Sequence, residues 1–166
     1  MSIVAIKRIG KGQFEIAADS IWIRGWGTQA KEPDCKIWKI GDMIAGTAGK
    51  ASLGGLFREY IENHKPKTSN EWGWLNFMSE FMKYVTTIDS KYTFDDNSFI
   101  VVWRKKAFTI SGLTVREIKK FDAIGAGMDF ALASLYLGHS AKEAVEVACE
   151  LSAFCEKPIK VYKNVT

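Results

Sequence analysis

The sequence lacks the features that define several common classes of protein. No apolar run approaches the ~20 residues that a membrane-spanning helix needs. The chain reaches a charged residue by Lys7, without the apolar stretch of a secretory signal. We therefore expect a cytoplasmic protein.

Cysteine and histidine are also scarce. Cys35, Cys149 and Cys155 are odd in number and have no paired spacing, which argues against a disulfide framework and against a zinc site. The two histidines, His64 and His139, are flanked by loop-forming residues. A histidine-dependent catalytic triad or a His-rich metal site is therefore not expected, and we predict no metal and no cofactor.

Charge of one sign is not concentrated anywhere along the chain. The 23 basic and 19 acidic residues give a net charge of +4 and are scattered, without the clustered basic stripe that is typical of nucleic-acid binding. What the sequence does have is apolar residues, at 47% of its 166 positions. This is enough to close one core, so we predict a single domain over residues 1–166, with no nucleic acid and no membrane as partner.

The first half of the chain has the alternation of paired strands. The predicted strands are Ser2–Ile9, Gln13–Ala18, Cys35–Ile40 and Met43–Thr47, the first two joined by a Gly10-Lys11-Gly12 turn. The stretch from Ser20 to Pro33 contains two glycines and a proline, and we interpret it as a partly extended loop.

Helical periodicity starts near Lys50. Apolar residues at helical spacing predict a first helix that ends near Pro66, and a second helix from Glu71 to Val85. Either Ser69 or Asn70 is suited to cap the second helix.

The second half returns to strands and then to helices. The predicted elements are a turn at Asp95-Asp96-Asn97, strands Ser98–Trp103 and Ala107–Ser111 around an Arg104-Lys105-Lys106 tip, a strand Arg116–Ile124, a helix Asp129–Leu137, a helix that follows Ser140, and a strand Lys160–Tyr162. Ser140 and Glu143 have the spacing of a capping box. This order predicts an α+β fold, in which two mostly antiparallel sheets lie between two helical layers.

Three stretches, in the right order over nearly the whole chain, carry a family resemblance. They are Ile3-Val4-Ala5-Ile6-Lys7-Arg8 leading to Ala17-Ala18-Asp19, then Lys36-Ile37-Trp38-Lys39-Ile40 with Met43-Ile44-Ala45-Gly46-Thr47-Ala48-Gly49, and finally Ala123-Ile124-Gly125-Ala126-Gly127 with the Ser140 capping box. Together they resemble the proteasome family of N-terminal-nucleophile hydrolases, especially the HslV-type β subunit of bacteria. The resemblance implies a four-layer αββα sandwich.

The resemblance also implies a catalytic site. In this family the side chain of the first residue attacks an amide, and its own α-amino group accepts the proton, which suits an amine that titrates near ~8. Asp19 matches the carboxylate and Lys36 the lysine beside the nucleophile. Gly49 matches the glycine whose backbone N–H stabilises the oxyanion.

The start of the chain departs from the family pattern. Met1 falls at the position of the nucleophilic threonine, and a thioether cannot attack a carbonyl. Removal of Met1, which is favoured before a small residue, exposes Ser2 as the predicted nucleophile. Strand alternation puts Ser2 on the side of Val4 and Ile6, one residue from the family's position, unless the terminus bends or bulges. Ala126 replaces a serine that the family commonly has between two glycines.

Three functions stay open at this point. The first is a threonine- or serine-type peptidase subunit of a self-compartmentalising homo-oligomeric ring, with peptide or protein substrates and an ATP-dependent unfoldase as partner. A small-substrate amidase of the same fold has the same sequence signature. The alternative is a catalytically inactive structural or interaction protein that kept the fold and lost the nucleophile.

Overall fold

A computed structural model describes residues 2–24, 28–31 and 36–164 of the chain. Within them lie eleven strands: β1 Ile3–Gly10, β2 Gln13–Ala18, β3 Ile21–Arg24, β4 Thr28–Lys31, β5 Ile37–Ile40, β6 Met43–Gly49, β7 Asn97–Trp103, β8 Lys106–Ser111, β9 Thr114–Glu117, β10 Phe121–Gly125 and β11 Lys160–Lys163. The helices of the same residues are α1 Ala51–Asn63, α2 Glu71–Ile88, α3 Met128–Tyr136 and α4 Ala141–Leu151, with a short 3-10 helix at Phe94–Asp96.

The strands form two antiparallel sheets and one separate hairpin. The first sheet has the order β10-β1-β2-β11, and the second has the order β5-β6-β7-β8-β9. Val4 faces Ala18 across the β1–β2 pair, and Gly49 faces Asn97 across the β6–β7 pair. Strand β3 pairs only with β4 among the described residues.

Three apolar layers hold the sheets and helices together. Alternation along β1 sends Val4 and Ile6 to the layer between the two sheets, and Ile3 and Ala5 to the layer under α3 and α4. A third layer, rich in aromatic residues, joins the second sheet to α1 and α2. The predicted α+β, four-layer αββα sandwich is therefore confirmed, with one helix pair on the outer face of each sheet.

The helix ends follow the local sequence. Asn70 rather than Ser69 caps α2, because its Oδ1 accepts a hydrogen bond from the Gly73 N–H at 2.8 Å. The capping box of α4 is confirmed, with Ser140 Oγ accepting from the Glu143 N–H at 3.2 Å and Glu143 Oε2 accepting from the Ser140 N–H at 2.7 Å.

The predicted loop from Ser20 to Pro33 is wrong. Ile21–Arg24 and Thr28–Lys31 form the antiparallel hairpin of β3 and β4. Ile21, Trp22 and Ile23 are strong strand formers, and this local preference outweighs the glycines and the proline on which the loop prediction rested. Gly25–Gly27 and Glu32–Cys35 lie outside the described residues.

The single predicted strand from Arg116 to Ile124 is also wrong. The chain leaves the second sheet at Glu117 and enters the first sheet at Phe121. Backbone hydrogen bonds hold the crossing, from the Ile118 N–H to the Ala107 carbonyl at 2.8 Å and from the Arg8 N–H to the Lys120 carbonyl at 2.7 Å. A change of sheet between two β-forming segments leaves no break in residue pattern, which explains the error.

The turn predicted at residues 95–97 is displaced. A short 3-10 helix occupies Phe94–Asp96, and Asn97 is the first residue of β7 and is buried. The tip of the β7–β8 hairpin consists of Arg104 and Lys105, while Lys106 already belongs to β8.

Candidate active site

A buried ion pair joins two of the predicted site residues. Asp19 follows the last residue of β2 and is fully buried, and Lys36 precedes β5 and is 4% exposed. Lys36 Nζ donates a hydrogen bond to Asp19 Oδ1 at 2.5 Å. A charge-assisted bond in such a dry environment is strong, and either charge alone would be costly to bury.

Among the described residues, three backbone N–H groups also donate to the Asp19 carboxylate. Oδ1 also accepts from the Ile3 N–H at 2.9 Å, while Oδ2 accepts from the Ile21 N–H at 3.3 Å and the Glu156 N–H at 3.2 Å. These bonds connect β1, β3 and the segment after α4 to one carboxylate. Its orientation beside the start of β1 is therefore determined by the fold itself.

Ser2 lies directly before β1 and is 5% exposed. Its carbonyl accepts a hydrogen bond from the Gly127 N–H at 3.3 Å. Ile3 pairs with Gly125, where a side chain would be pressed to 2.3 Å from the Ser2 carbonyl oxygen and where φ is +102°. Gly125 thus lets β10 approach the start of β1 closely. Met1, predicted to occupy the nucleophile position, lies outside the described residues.

Gly49 is the last residue of β6 and requires glycine for two reasons. Its φ is +137°, and a Cβ atom there would lie 2.2 Å from the Asp96 carbonyl oxygen. Ala48, its neighbour, packs at the Gly125 position, where the added Cβ would be 3.1 Å from the Ala48 Cβ. The Gly49 end of β6 is therefore next to the β1–β10 junction that carries Ser2.

Asn97 belongs to this site and was missed by the sequence analysis, which assigned it to a turn. Its Nδ2 donates to Thr47 Oγ1 at 2.9 Å and to the Lys50 carbonyl at 3.0 Å, and its Oδ1 accepts from the Lys50 N–H at 2.8 Å. These bonds straddle Gly49. A polar residue at the start of a strand gives no sign that its partners lie about fifty residues earlier in the chain.

The structure thus brings all four predicted site residues to one end of the sandwich. Lys36 is tied to β6 as well as to Asp19, since its carbonyl accepts from the Thr47 N–H at 2.9 Å. Ala126, which replaces the family serine, is exposed in the turn between β10 and α3. A cation, a carboxylate and a glycine therefore lie together beside the start of β1.

Two thiols near Asp19 do not offer a competing nucleophile. Burial, together with the negative charge of Asp19, raises the pKa of Cys149 to about 12. Burial likewise raises the pKa of Cys155. Both side chains are therefore protonated at neutral pH, and a protonated thiol is a poor nucleophile.

The described residues contain neither a metal-ligand cluster nor a helix suited to span a membrane. No three His, Cys, Asp or Glu side chains of this part of the chain lie together as metal ligands would. None of the described helices has the length and apolar character to cross a membrane.

Comparison with known proteins identifies the fold. No protein-family model and no curated protein sequence matches this chain. Among solved structures, it is similar to Thiobacillus denitrificans BPH in complex with epoxomicin, with a TM-score of 0.83, 19% identity and 97% of both chains covered.

Two other structures give the same result. HslV from Trypanosoma brucei is similar with a TM-score of 0.68 and 21% identity, over 97% of this chain and 98% of that one. Anbu, described as an ancestral β subunit, from Yersinia bercovieri has a TM-score of 0.73 and 13% identity, over 97% of this chain and 80% of that one. At these identities the likeness establishes the fold, and the chain accordingly has the proteasome-like fold of the N-terminal-nucleophile hydrolases.

Proposed function

We propose that this chain is a single-domain, cytoplasmic N-terminal-nucleophile peptidase or amidase, in which Ser2 becomes the nucleophile once Met1 is removed. The buried Asp19–Lys36 pair at the start of β1 carries this proposal. It holds a cation and an oriented carboxylate where the resemblance to the proteasome family expects them.

The reaction would proceed in two steps. Ser2 Oγ attacks the carbonyl carbon of the substrate amide while the α-amine of Ser2 takes the hydroxyl proton, and the Gly49 N–H stabilises the oxyanion. The amine returns the proton to the leaving nitrogen, the C–N bond breaks and an ester remains. Water then attacks this ester, with the amine as base, and releases the acid and free Ser2. Asp19 holds the Lys36 ammonium at this end of the site.

We extend the proposal to a homo-oligomeric ring that takes peptide or protein substrates, delivered by an ATP-dependent unfoldase. The support is a set of large apolar side chains that the protomer leaves exposed and that an assembly would bury. The most exposed are Tyr136 at 81%, Leu137 at 75%, Trp72 at 74%, Leu113 at 64% and Leu151 at 62%.

The test combines processing with covalent labelling. Intact mass and N-terminal sequencing of purified protein are expected to show a chain that begins at Ser2. A peptide epoxyketone has two electrophilic carbons, which suit a hydroxyl and an amine on the same residue, and is expected to add once per chain. The matched control is Ser2→Ala, which keeps a small residue after Met1 and removes only the hydroxyl. Processed protein that is not labelled, or equal labelling of Ser2→Ala, would refute the serine mechanism.

One observation favours a second function, a catalytically inactive protein that uses the same fold for structure or interaction. Asp19 is fully supplied with donors by Lys36 and three backbone N–H groups, so the pair stabilises the fold whether or not a reaction occurs. Met1 at the nucleophile position and Ala126 in place of the expected serine are also compatible with a loss of catalytic activity. Retained Met1 in native protein would support this alternative.

A further inference from the structure

A small basic cavity lies at the end of the sandwich opposite the candidate active site. Three strand connections meet there, those of β1–β2, β5–β6 and β7–β8, around a cavity of about 290 Å³. Its cationic lining residues are Lys11, Lys39, Arg104 and Lys105. None of these four forms an ion pair with a carboxylate of residues 2–24, 28–31 or 36–164.

The acidic residue of the lining is already committed to another partner. Asp42 Oδ2 accepts a hydrogen bond from Trp103 Nε1 at 2.9 Å. The same indole supports a cation, because the Arg104 guanidinium lies 4.2 Å from the centre of the Trp103 ring. The lining thus keeps a net charge of +3 from four cations and one carboxylate.

The β7–β8 turn shows that these cations are held against backbone preference. Arg104 and Lys105 have φ of 49° and 62°, the left-handed region that a two-residue hairpin turn of type I′ requires at both positions. Asn-Gly is the favoured pair in such a turn, since side chains other than those of Asn, Asp and Gly are strained there. Two long cationic residues occupy it instead, and strain retained in this way is a feature of functional sites.

The neighbouring turns hold this geometry in place. Gly12 has φ of +69°, and a Cβ atom on it would lie 2.6 Å from the Lys105 Cβ, so the β1–β2 turn packs directly on the strained one. Asn164 Nδ2 donates to the Gly12 carbonyl at 2.9 Å, and its Oδ1 accepts from the Phe14 N–H at 2.6 Å. The backbone that carries the cationic side chains is thus held in place by packing and hydrogen bonds.

We propose that this cavity is a binding site for phosphate groups, held by Arg104, Lys105, Lys11 of the β1–β2 turn and Lys39 of β5. Arginine and lysine are the usual ligands of phosphate oxygens, and a volume of about 290 Å³ suits one or two such groups. The site is independent of the proposed hydrolase activity, because it shares no residue with the Ser2 end of the molecule.

The experiment is a titration of the full chain with inorganic pyrophosphate by calorimetry at low ionic strength. The double variant Arg104→Asn, Lys105→Gly removes two cations and installs the favoured turn pair. We expect it to bind at least roughly tenfold more weakly, because charged hydrogen bonds are lost, while its melting temperature rises. Loss of binding in a more stable protein excludes unfolding as the cause.

The control variant is Lys91→Gln, Lys142→Gln, which removes the same net charge from sites outside the cavity. It is expected to bind pyrophosphate as the parent does. Absence of parent binding at millimolar pyrophosphate, equal loss in both double variants, or a lower melting temperature for Arg104→Asn, Lys105→Gly would each overturn the proposal. A parallel titration with ADP identifies the source of the phosphate groups: equal affinity assigns the site to the groups alone, and tighter binding assigns it to a nucleotide that carries them.

Discussion

Asp19 accepts four hydrogen bonds while it is completely buried, and this makes it the residue on which the start of β1 depends. Two of its donors belong to strands of different sheets or hairpins, and a third follows α4. A change at this position therefore affects the fold and the candidate site together.

We predict that Asp19→Asn lowers the free energy of unfolding by ~3–5 kcal/mol, because it leaves the Lys36 charge buried without a carboxylate. The new amide NH₂ also faces backbone N–H groups that need an acceptor. Urea unfolding followed by circular dichroism measures the change. Glu62→Gln, which breaks the exposed Arg58–Glu62 pair, is the control and should cost at most about 0.5 kcal/mol. Similar losses in both variants would contradict the assigned role of Asp19.

Replacement of glycine by alanine is expected to have opposite effects on stability at two nearby positions, Gly49 and Gly55. Gly49→Ala is expected to cost at least ~1–3 kcal/mol, because φ there is +137° and the added Cβ meets the Asp96 carbonyl. Gly55→Ala lies inside α1 with no atom within 4 Å of its added Cβ, and should instead stabilise the protein by ~0.5–1 kcal/mol. Thermal unfolding of both variants measures the contrast. A stabilising Gly49→Ala would show that the turn after β6 is not constrained as described.

At the scale of elements, the capping box of α4 makes stability depend on pH. Hydrogen bonds from Ser140 hold the pKa of Glu143 below its ordinary value of 4.5. Because the pKa of Glu143 is lower in the folded state, its carboxylate stabilises the folded protein. This stabilisation is fully present above pH 4.5 and is lost as the pH falls through the lower folded-state pKa.

We therefore predict that Glu143→Gln is less stable than the parent at pH 7 and that the difference disappears as the pH falls below the folded-state pKa of Glu143. Urea unfolding of both proteins at a series of pH values measures it. Glu146→Gln on the same helix is the control, because its exposed pair with Lys142 contributes little. A difference between parent and Glu143→Gln that does not change with pH would exclude the capping carboxylate as its source.

Elements with a local signal were predictable from sequence. The β1–β2 hairpin, the helices and the α4 capping box depend on residues that lie within a few positions of one another. The pairing of Asp19 with Lys36 and the place of Gly49 came from the family resemblance rather than from any local pattern. Local patterns did not reveal where the chain changes sheets between Glu117 and Phe121, or that Asn97 contacts Thr47 and Lys50, because both depend on contacts distant in sequence.

At the scale of the whole molecule, the strands separate two sites. The ends of β1, β2, β5, β6 and β7 that carry Ser2, Asp19, Lys36 and Gly49 form one end of the sandwich, and the connecting turns with Lys11, Arg104 and Lys105 form the other. A ligand at the basic end therefore leaves the candidate active site open. The proposed assembly requires one outer face of the sandwich to contact another protomer.

Trp72 allows the assembly proposal to be tested without damage to the protomer. It lies in the first turn of α2 and is 74% exposed, whereas Trp74, two residues later, is fully buried in the core. An exposed tryptophan of this size is typical of a contact surface.

We predict that native mass spectrometry gives a multiple of the chain mass for the parent, and that Trp72→Lys shifts the population toward the monomer with an unchanged melting temperature of the monomer. Asn76→Lys, an exposed change on the same helix, should leave the assembly intact. A parent that is monomeric at high concentration would refute the ring for this protein. A lysine buried in the contact without a partner would be too costly to retain. An assembly that is unaffected by Trp72→Lys would therefore place the contact on another face.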